Sequence, residues 1–232
     1  MSANPEFDAF ASDYDAALNQ GLKFSGETKE YFAEGRTRWF RQTLGDQFKP
    51  NARCLDYGCG TGTATPYLME TLQLQSLVGV DLSTESLARA TQQHALPNVQ
   101  FDTLASLNNK RDEFDFAYCN GVFHHIPITE RESCIAAIYQ AMKPGGIFAF
   151  WENNAWNPIV RFMMSRVPFD ADAIVLFPHE ARHLARNAGF EVLRTDYLFV
   201  FPGLLKLLRG LEPLLSKLPF GGQYQVLCRK PV

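Results

Sequence analysis

This 232-residue chain lacks the features that mark disulfide-rich, zinc-binding or nucleic-acid-binding proteins. Its five cysteines are odd in number and show no CxxC spacing, which disfavours a disulfide framework and a zinc knuckle. There is no run of Lys or Arg, and the net charge is −3, so no basic surface for a phosphate backbone is expected. We therefore expect reduced thiols, no metal and no nucleic-acid partner.

The sequence also lacks the apolar segments that export and membrane insertion require. The first residues, MSANPEFDAF, show no basic and apolar leader, and no apolar run reaches about 18 residues. We expect a cytoplasmic protein without a transmembrane segment. The hydrophobic content of 46% is enough for one well-filled core, and no repeat or linker composition divides the chain.

Short apolar runs alternate with helical stretches along the middle of the chain. This alternation predicts an α/β fold, in which helices cover both faces of a mostly parallel sheet. A helix is predicted over Pro178–Ala188, and two further strands near Phe190–Tyr197 and Tyr224–Arg229. The five earlier runs are Arg53–Tyr57, Leu77–Asp81, Val99–Phe101, Phe114–Cys119 and Ile147–Trp151.

A glycine-rich stretch, LDYGCGTGT, follows the first predicted strand. Gly58, Gly60 and Gly62 would let the backbone turn sharply and direct bare N–H groups at a ligand. Asp81 ends the next strand, close to the spacing of about 20 residues at which an acid binds ribose hydroxyls. The two signals together predict a nucleotide-type cofactor. The spacing GxGxG, in place of GxGxxG, disfavours NAD.

Four blocks occur in order between about residues 50 and 151: LDYGCGTGT, VGVDLSTESLARA, FDFAYCNGVFHHI and MKPGGIFAF. Together they resemble the class I S-adenosylmethionine-dependent methyltransferases of the small-molecule type. The resemblance implies a three-layer, Rossmann-like fold, with a seven-stranded sheet whose last strand is antiparallel. It also implies an N-terminal helical lid at 1–50 and a methyltransferase domain at 51–232. Substrate-side inserts at 152–177 and 202–222 would lie before and within the closing hairpin.

The cofactor implied by this resemblance is S-adenosylmethionine, and the product is S-adenosylhomocysteine. Asp56 and the loop formed by Gly58, Gly60, Thr61 and Gly62 would hold the methionine part of the cofactor.

The remaining cofactor contacts are implied at the ends of the next strands. Asp81 would bind the ribose hydroxyls, and Leu82 would pack on adenine. Asn120 and Val122 would line the sulfonium pocket. The acid that usually follows the third strand in this family is absent here, and Ser106 is the candidate replacement at the adenine amino group.

Three side chains near the ends of the fourth and fifth strands are candidate general bases. Ligands of open α/β sheets usually bind at the carboxyl ends of the strands. There, His125, His124 and Glu152, in this order of preference, could take a proton from the nucleophile. In the lid, Tyr14 is a candidate aromatic neighbour of the sulfonium, although simple packing explains it equally well.

The stretch HEARH, from His179 to His183, spells the zinc-binding motif of metalloproteases. On a helix, however, the apolar stripe that contains Ala181 and Ala185 would leave both histidines on a flank away from the core. No histidine follows His183 to supply a third ligand. We therefore predict a solvated helix face and no metal.

The substrate class depends on the segments outside the family blocks. The insert at 152–177 is rich in Trp, Phe and Met, as an apolar wall would be. Residues 203–218 predict an amphipathic helix that Pro213 should kink or divide. It could pack on its own domain, cap a pocket, join two subunits or make a peripheral membrane contact.

The predicted function is methyl transfer from S-adenosylmethionine to an oxygen, nitrogen or carbon nucleophile of a small, apolar or lipid-like molecule. The alternatives are a non-catalytic protein that binds S-adenosylmethionine and a dinucleotide-dependent oxidoreductase.

Overall fold

A computed structural model describes residues 26–166 and 173–232 of the chain. Its centre is a seven-stranded sheet of order β3-β2-β1-β4-β5-β7-β6, in which β7 runs antiparallel to both neighbours. The other pairings are parallel, so the predicted fold class is confirmed. The strands are β1 Arg53–Tyr57, β2 Ser76–Asp81, β3 Val99–Thr103, β4 Phe114–Asn120, β5 Met142–Asn153, β6 Glu191–Leu198 and β7 Gln223–Arg229.

Helices connect these strands, and polar side chains cap several of them. The Thr28 hydroxyl accepts a hydrogen bond from the Tyr31 N–H at 3.3 Å, and the Ser83 hydroxyl accepts one from Ser86 at 3.1 Å. The α-helices are α1 Lys29–Leu44, α2 Thr65–Thr71, α3 Thr84–Gln93, α4 Ile128–Ala141, α5 Pro158–Met164, α6 Pro178–Asn187 and α7 Glu212–Leu215. Short 3-10 segments cover Gly45–Gln47, Leu104–Asn109, Phe123–His125 and Gly203–Leu211.

The hydrophobic core lies on both faces of the sheet, because alternate residues of a strand point to opposite faces. On β5, Phe148 and Phe150 pack in one cluster with residues of α4 and α6. Ala149 and Trp151 pack in the other cluster with residues of α1 and α2. The three layers predicted from the sequence are thus present.

The N-terminal lead-in contributes to this core where the structure describes it. Trp39, Phe40 and Leu44 of α1 are buried against the sheet. Residues 29–44 are therefore part of the core of the domain. Tyr14 and the rest of the predicted lid before residue 26 lie outside the described residues.

β5 is longer than predicted at both ends. Phe114 pairs with Met142 and Phe116 pairs with Ile147, so residues 143–146 form a bulge within the strand. Pairing with β7 also draws Glu152 into the strand, although the sequence placed this residue at the start of an insert. The partner strand lies about 70 residues away in sequence, so the local pattern does not contain this information.

The segment 203–218 is not one continuous amphipathic helix. It forms the 3-10 segment Gly203–Leu211 and then α7, and the division lies just before Pro213. No residue of Gly203–Leu211 is buried: Leu204 and Leu207 are almost fully exposed, whereas Leu205, Leu208 and Leu211 are partly covered. Among the described residues, no helix is long and apolar enough to span a bilayer.

Candidate active site

The glycine loop after β1 leaves no room for a side chain at Gly58 or Gly62. Gly58, Gly60 and Gly62 have φ values of 72°, 52° and 77°, which favour glycine. A Cβ atom on Gly58 would lie 2.2 Å from Val122, and one on Gly62 would lie 2.7 Å from His94. The loop therefore presents bare backbone between the ends of β1, β2 and β4.

Asp81, at the end of β2, fixes this loop. Its Oδ2 accepts a hydrogen bond from the Gly60 N–H at 2.8 Å, and its Oδ1 accepts one from Ser83 at 2.9 Å. An ionised carboxylate has about four acceptor positions, so further donors can still be bound. The structure thus brings together the two features that the sequence paired by spacing. Leu82 follows Asp81 and is partly buried.

Near the carboxyl ends of three parallel strands, three buried oxygen atoms have no hydrogen-bond partner among the described residues, and Oγ1 of Thr65, just after the loop, is a fourth. The first three are Oδ2 of Asp56, Oγ of Ser106 and Oδ1 of Asn120, which follow or end β1, β3 and β4. Buried polar groups are usually hydrogen-bonded, so three such atoms at one edge of the sheet suit a polar ligand. All three belong to residues that the sequence predicted for cofactor binding, and as hydrogen-bond acceptors they suit the amino groups and hydroxyls of S-adenosylmethionine.

Arg36 is a site residue that the sequence did not single out. Its Nε donates to the Tyr118 hydroxyl at 2.8 Å, and its Nη1 donates to Gln223 at 3.0 Å. Asp56 pairs in register with Tyr118, so the guanidinium lies beside Asp56 at the cofactor edge. Arg36 is buried, yet no carboxylate within ion-pair distance is found among the described residues. A buried cation of this kind is suited to an anionic group of a ligand.

The environment of Asp56 disfavours its charged form. Burial, together with the nearby Asp81 carboxylate, raises its pKa to about 7, although Arg36 acts in the opposite direction. The proton is therefore held more tightly in the folded chain than in the unfolded chain. The resulting contribution to stability is complete below about pH 4 and is lost as the pH rises to about 7.

We expect the substitution Asp56→Asn to stabilise the ligand-free protein increasingly from about pH 4 to pH 7. The gain should level off above pH 7 at no more than about 4 kcal/mol, because the amide avoids the cost of a buried charge. Urea unfolding at pH 5 and pH 8 measures this difference. Asp46→Asn, at an exposed position, is the control. A variant that is less stable than the wild type at pH 8 would contradict the assignment.

His124 and Glu152 form a buried pair at the ends of β4 and β5. Nδ1 of His124 lies 2.7 Å from Oε2 of Glu152, whose other oxygen accepts a hydrogen bond from the Phe123 N–H at 2.7 Å. Burial acts to raise the pKa of Glu152, but the neighbouring His124 and the Phe123 hydrogen bond outweigh it and lower the pKa. The ring centroid of His125 is 4.0 Å from that of His124, so the three predicted bases are adjacent.

The two histidines of the HEARH motif lie on a solvent-exposed helix face, as predicted. His179 and His183 are exposed on α6, whereas Ala181 and Ala185 are fully buried. Glu180 accepts a hydrogen bond from the Phe177 N–H at 2.7 Å and so stabilises the first turn of its own helix. In the described ranges, no group of three or more His, Cys, Asp or Glu residues is arranged to hold a metal ion.

Comparison with known proteins agrees with this geometry. A family model described as a methyltransferase domain matches residues 55–150. Trans-aconitate 2-methyltransferase from Methylobacterium nodulans is 28% identical over 240 residues, covering 94% of this chain and 87% of the relative. The same-named protein from Deinococcus radiodurans is 31% identical over 101 residues, which cover 44% of this chain and only 38% of that relative.

The fold is also found in solved structures. The TehB-like S-adenosylmethionine-dependent methyltransferase from Corynebacterium glutamicum superposes with a TM-score of 0.63 and 18% identity, covering 99% of this chain and all of that chain.

Proposed function

We propose that this chain is a class I S-adenosylmethionine-dependent methyltransferase and that it methylates a nucleophilic oxygen, nitrogen or carbon atom of a small, apolar or lipid-like molecule. The observation that carries the proposal is the set of three unpartnered oxygen atoms near the carboxyl ends of β1, β3 and β4. A domain that had lost the cofactor would have no reason to keep these polar atoms buried without partners.

The roles proposed for individual residues follow from these positions. The amino-acid part of the cofactor, which carries an ammonium and a carboxylate, suits Asp56 and Arg36 respectively. Asp81 is assigned to the ribose hydroxyls and Leu82 to the adenine ring, while Ser106 is assigned to the adenine amino group. The other proposed contacts come from Gly58, Gly60, Thr61 and Gly62 through the loop, and from Asn120 and Val122 at the sulfonium. Tyr14 lies outside the described residues, so its contact with the sulfonium stays a prediction from the sequence.

S-adenosylmethionine, when bound, supplies a methyl group activated by its sulfonium. The chain then has to align the acceptor with this methyl group and exclude water, without any metal. Burial of the His124–Glu152 pair supports such a dry environment.

The buried pair also suggests how a proton leaves the acceptor. Both carboxylate oxygens of Glu152 already have a partner, the Phe123 N–H and the His124 ring. We therefore propose that Glu152 orients the imidazole of His124 and does not itself accept the proton. His124, with His125 beside it, is then the proposed proton acceptor where the nucleophile carries a proton.

Two acceptor classes deserve testing. Apolar side chains of 152–166 and 203–220 are exposed near the carboxyl ends of β5 and β6, which supports an apolar or lipid-like acceptor. The second candidate is trans-aconitate, after the name of the Methylobacterium nodulans relative, whose match covers 94% of this chain.

Thermal unfolding with S-adenosylmethionine, S-adenosylhomocysteine and NAD, each added separately, tests the cofactor. A ligand at about one hundred times its Kd should add about 2.7 kcal/mol to the free energy of unfolding, a shift of several degrees. We expect a shift with the first two compounds and none with NAD. A shift with NAD alone would overturn the proposal.

Release of S-adenosylhomocysteine with apolar and tricarboxylate acceptors then identifies the acceptor class. His124→Gln should lose turnover in that assay but keep the thermal shift with S-adenosylhomocysteine. The exposed control His179→Gln should keep both the turnover and the thermal shift.

A further inference from the structure

The connection between β6 and β7 exposes an unusual number of large apolar side chains. Leu204, Leu207 and Leu214 are 95%, 93% and 79% exposed, and Phe220 is more than half exposed. Isolated exposed leucines are common, but soluble monomers rarely present an extended apolar patch without a partner.

The first helix after β5 adds to this patch. Asn157 caps α5 and also donates a hydrogen bond from Nδ2 to the Phe220 carbonyl at 3.0 Å, so α5 begins beside the 219–222 segment. Its Ile159 and Phe162 are at least half exposed. We call the six side chains of Leu204, Leu207, Leu214, Phe220, Ile159 and Phe162 the apolar surface.

The exposure does not come from loose attachment of the connection. Glu212 is buried and accepts hydrogen bonds from the Phe199 N–H at 3.2 Å and the Phe201 N–H at 3.1 Å. Arg209 bonds the Phe201 carbonyl and forms an ion pair with Glu27. The charged side chains of this stretch thus anchor it to the domain, while the leucines face solvent.

The two segments that carry the apolar surface are basic, although the whole chain carries a net charge of −3. Lys206, Arg161 and Arg166 are exposed in these segments. The sequence of residues 203–220 contains one acidic residue, Glu212, which is buried, and that of residues 154–166 contains none. These two segments therefore expose apolar and basic side chains, and neither segment exposes an acidic one.

The apolar surface lies at the cofactor edge of the sheet. β5 and β6 both run antiparallel to β7, so they are parallel to each other, and the chain leaves β6 at the same edge as the Gly58–Gly62 loop. Whatever covers the apolar surface is therefore on the same side of the sheet as the candidate active site.

We propose that the apolar surface docks this protein on an anionic lipid bilayer, with the leucines in the interface and the basic side chains against the lipid phosphates. Apolar side chains flanked by Lys and Arg are the combination that binds such membranes. A second copy of the chain fits less well, because it would bring the same positive charges together. The inference goes beyond the methyl transfer proposed above and does not depend on it.

Sedimentation of the full chain with vesicles tests the docking. We expect binding to vesicles of phosphatidylcholine and phosphatidylglycerol in equal parts, and much weaker binding to phosphatidylcholine alone. The double substitution Leu204→Asn and Leu207→Asn should lower the partition constant by at least about tenfold, because two buried side chains are lost. Lys206→Gln should lower it about fivefold, and high salt should reproduce that loss.

Leu96→Asn and Arg111→Gln, at the opposite edge of the sheet, are the matched controls and should leave vesicle binding unchanged. An unchanged thermal shift with S-adenosylhomocysteine would show that every variant is folded. Absence of vesicle binding by the wild type, or equal binding by the double variant, would overturn the proposal. The proposal would also be wrong if sedimentation velocity showed a dimer of the wild type that the double variant does not form, while the wild type bound no vesicles.

Discussion

Asp81→Ala should weaken the binding of S-adenosylhomocysteine and of 5′-methylthioadenosine alike, each by at least about 100-fold. The variant loses the acceptor of the Gly60 N–H and, in the proposed mode, the acceptor of the ribose hydroxyls. Hydrogen bonds to a charged group contribute about 1.5–3 kcal/mol each, so the loss of two is expected to cost at least about 3 kcal/mol. Both ligands carry the ribose, and isothermal titration calorimetry measures both affinities.

Asp46→Ala is the matched control, because it removes an exposed carboxylate at the end of α1, away from the loop. It should bind both ligands like the wild type. If Asp81→Ala weakened S-adenosylhomocysteine but left 5′-methylthioadenosine unaffected, the carboxylate would not serve the ribose, and the proposed orientation of the cofactor would be wrong.

The sequence placed the glycine loop and Asp81 at neighbouring strand ends correctly because the signals for both are local. The glycines between β1 and α2 and the acid at the end of β2 each reflect a backbone requirement within a few residues. The strands were also predicted with small errors, since buried strands have compact apolar runs. Features that depend on residues far away in the sequence were not predicted. One example is the extension of β5 to Asn153, which results from its pairing with β7.

The 203–218 segment shows a different limit of the sequence. Its periodicity placed leucines and basic residues on opposite faces, but periodicity alone does not decide which face meets the domain. In the structure the anchoring contacts come from Glu212 and Arg209, which bond backbone groups near the end of β6. The leucines are consequently left exposed.

Arg36 was missed for the same reason as the end of β5. The residues that hold it, Tyr118 and Gln223, are 82 and 187 positions away in sequence. Nothing in the sequence of α1 distinguishes it from Arg38, which is exposed and pairs with Glu34 one turn earlier. Only the fold makes Arg36 a buried cation beside the cofactor loop.

Arg36→Met should weaken S-adenosylhomocysteine binding by at least about 100-fold and change the affinity for 5′-methylthioadenosine by less than about threefold. The first ligand carries the amino-acid carboxylate that Arg36 is proposed to bind, and the second lacks it. Removing one partner of a buried charge pair typically costs about 3–5 kcal/mol. Calorimetric titration of both ligands into both proteins gives the interaction between the guanidinium and the amino-acid group directly.

The comparison of ligands also separates recognition from folding. A general disturbance of the fold, for instance through the lost hydrogen bonds to Tyr118 and Gln223, would weaken both ligands in the same proportion. Arg38→Met removes the same charge two residues away on an exposed face and should bind both ligands normally. Equal losses for the two ligands would leave Arg36 a structural residue, whereas a selective loss fixes the orientation of the cofactor, since Asp81 and Arg36 then mark its two ends.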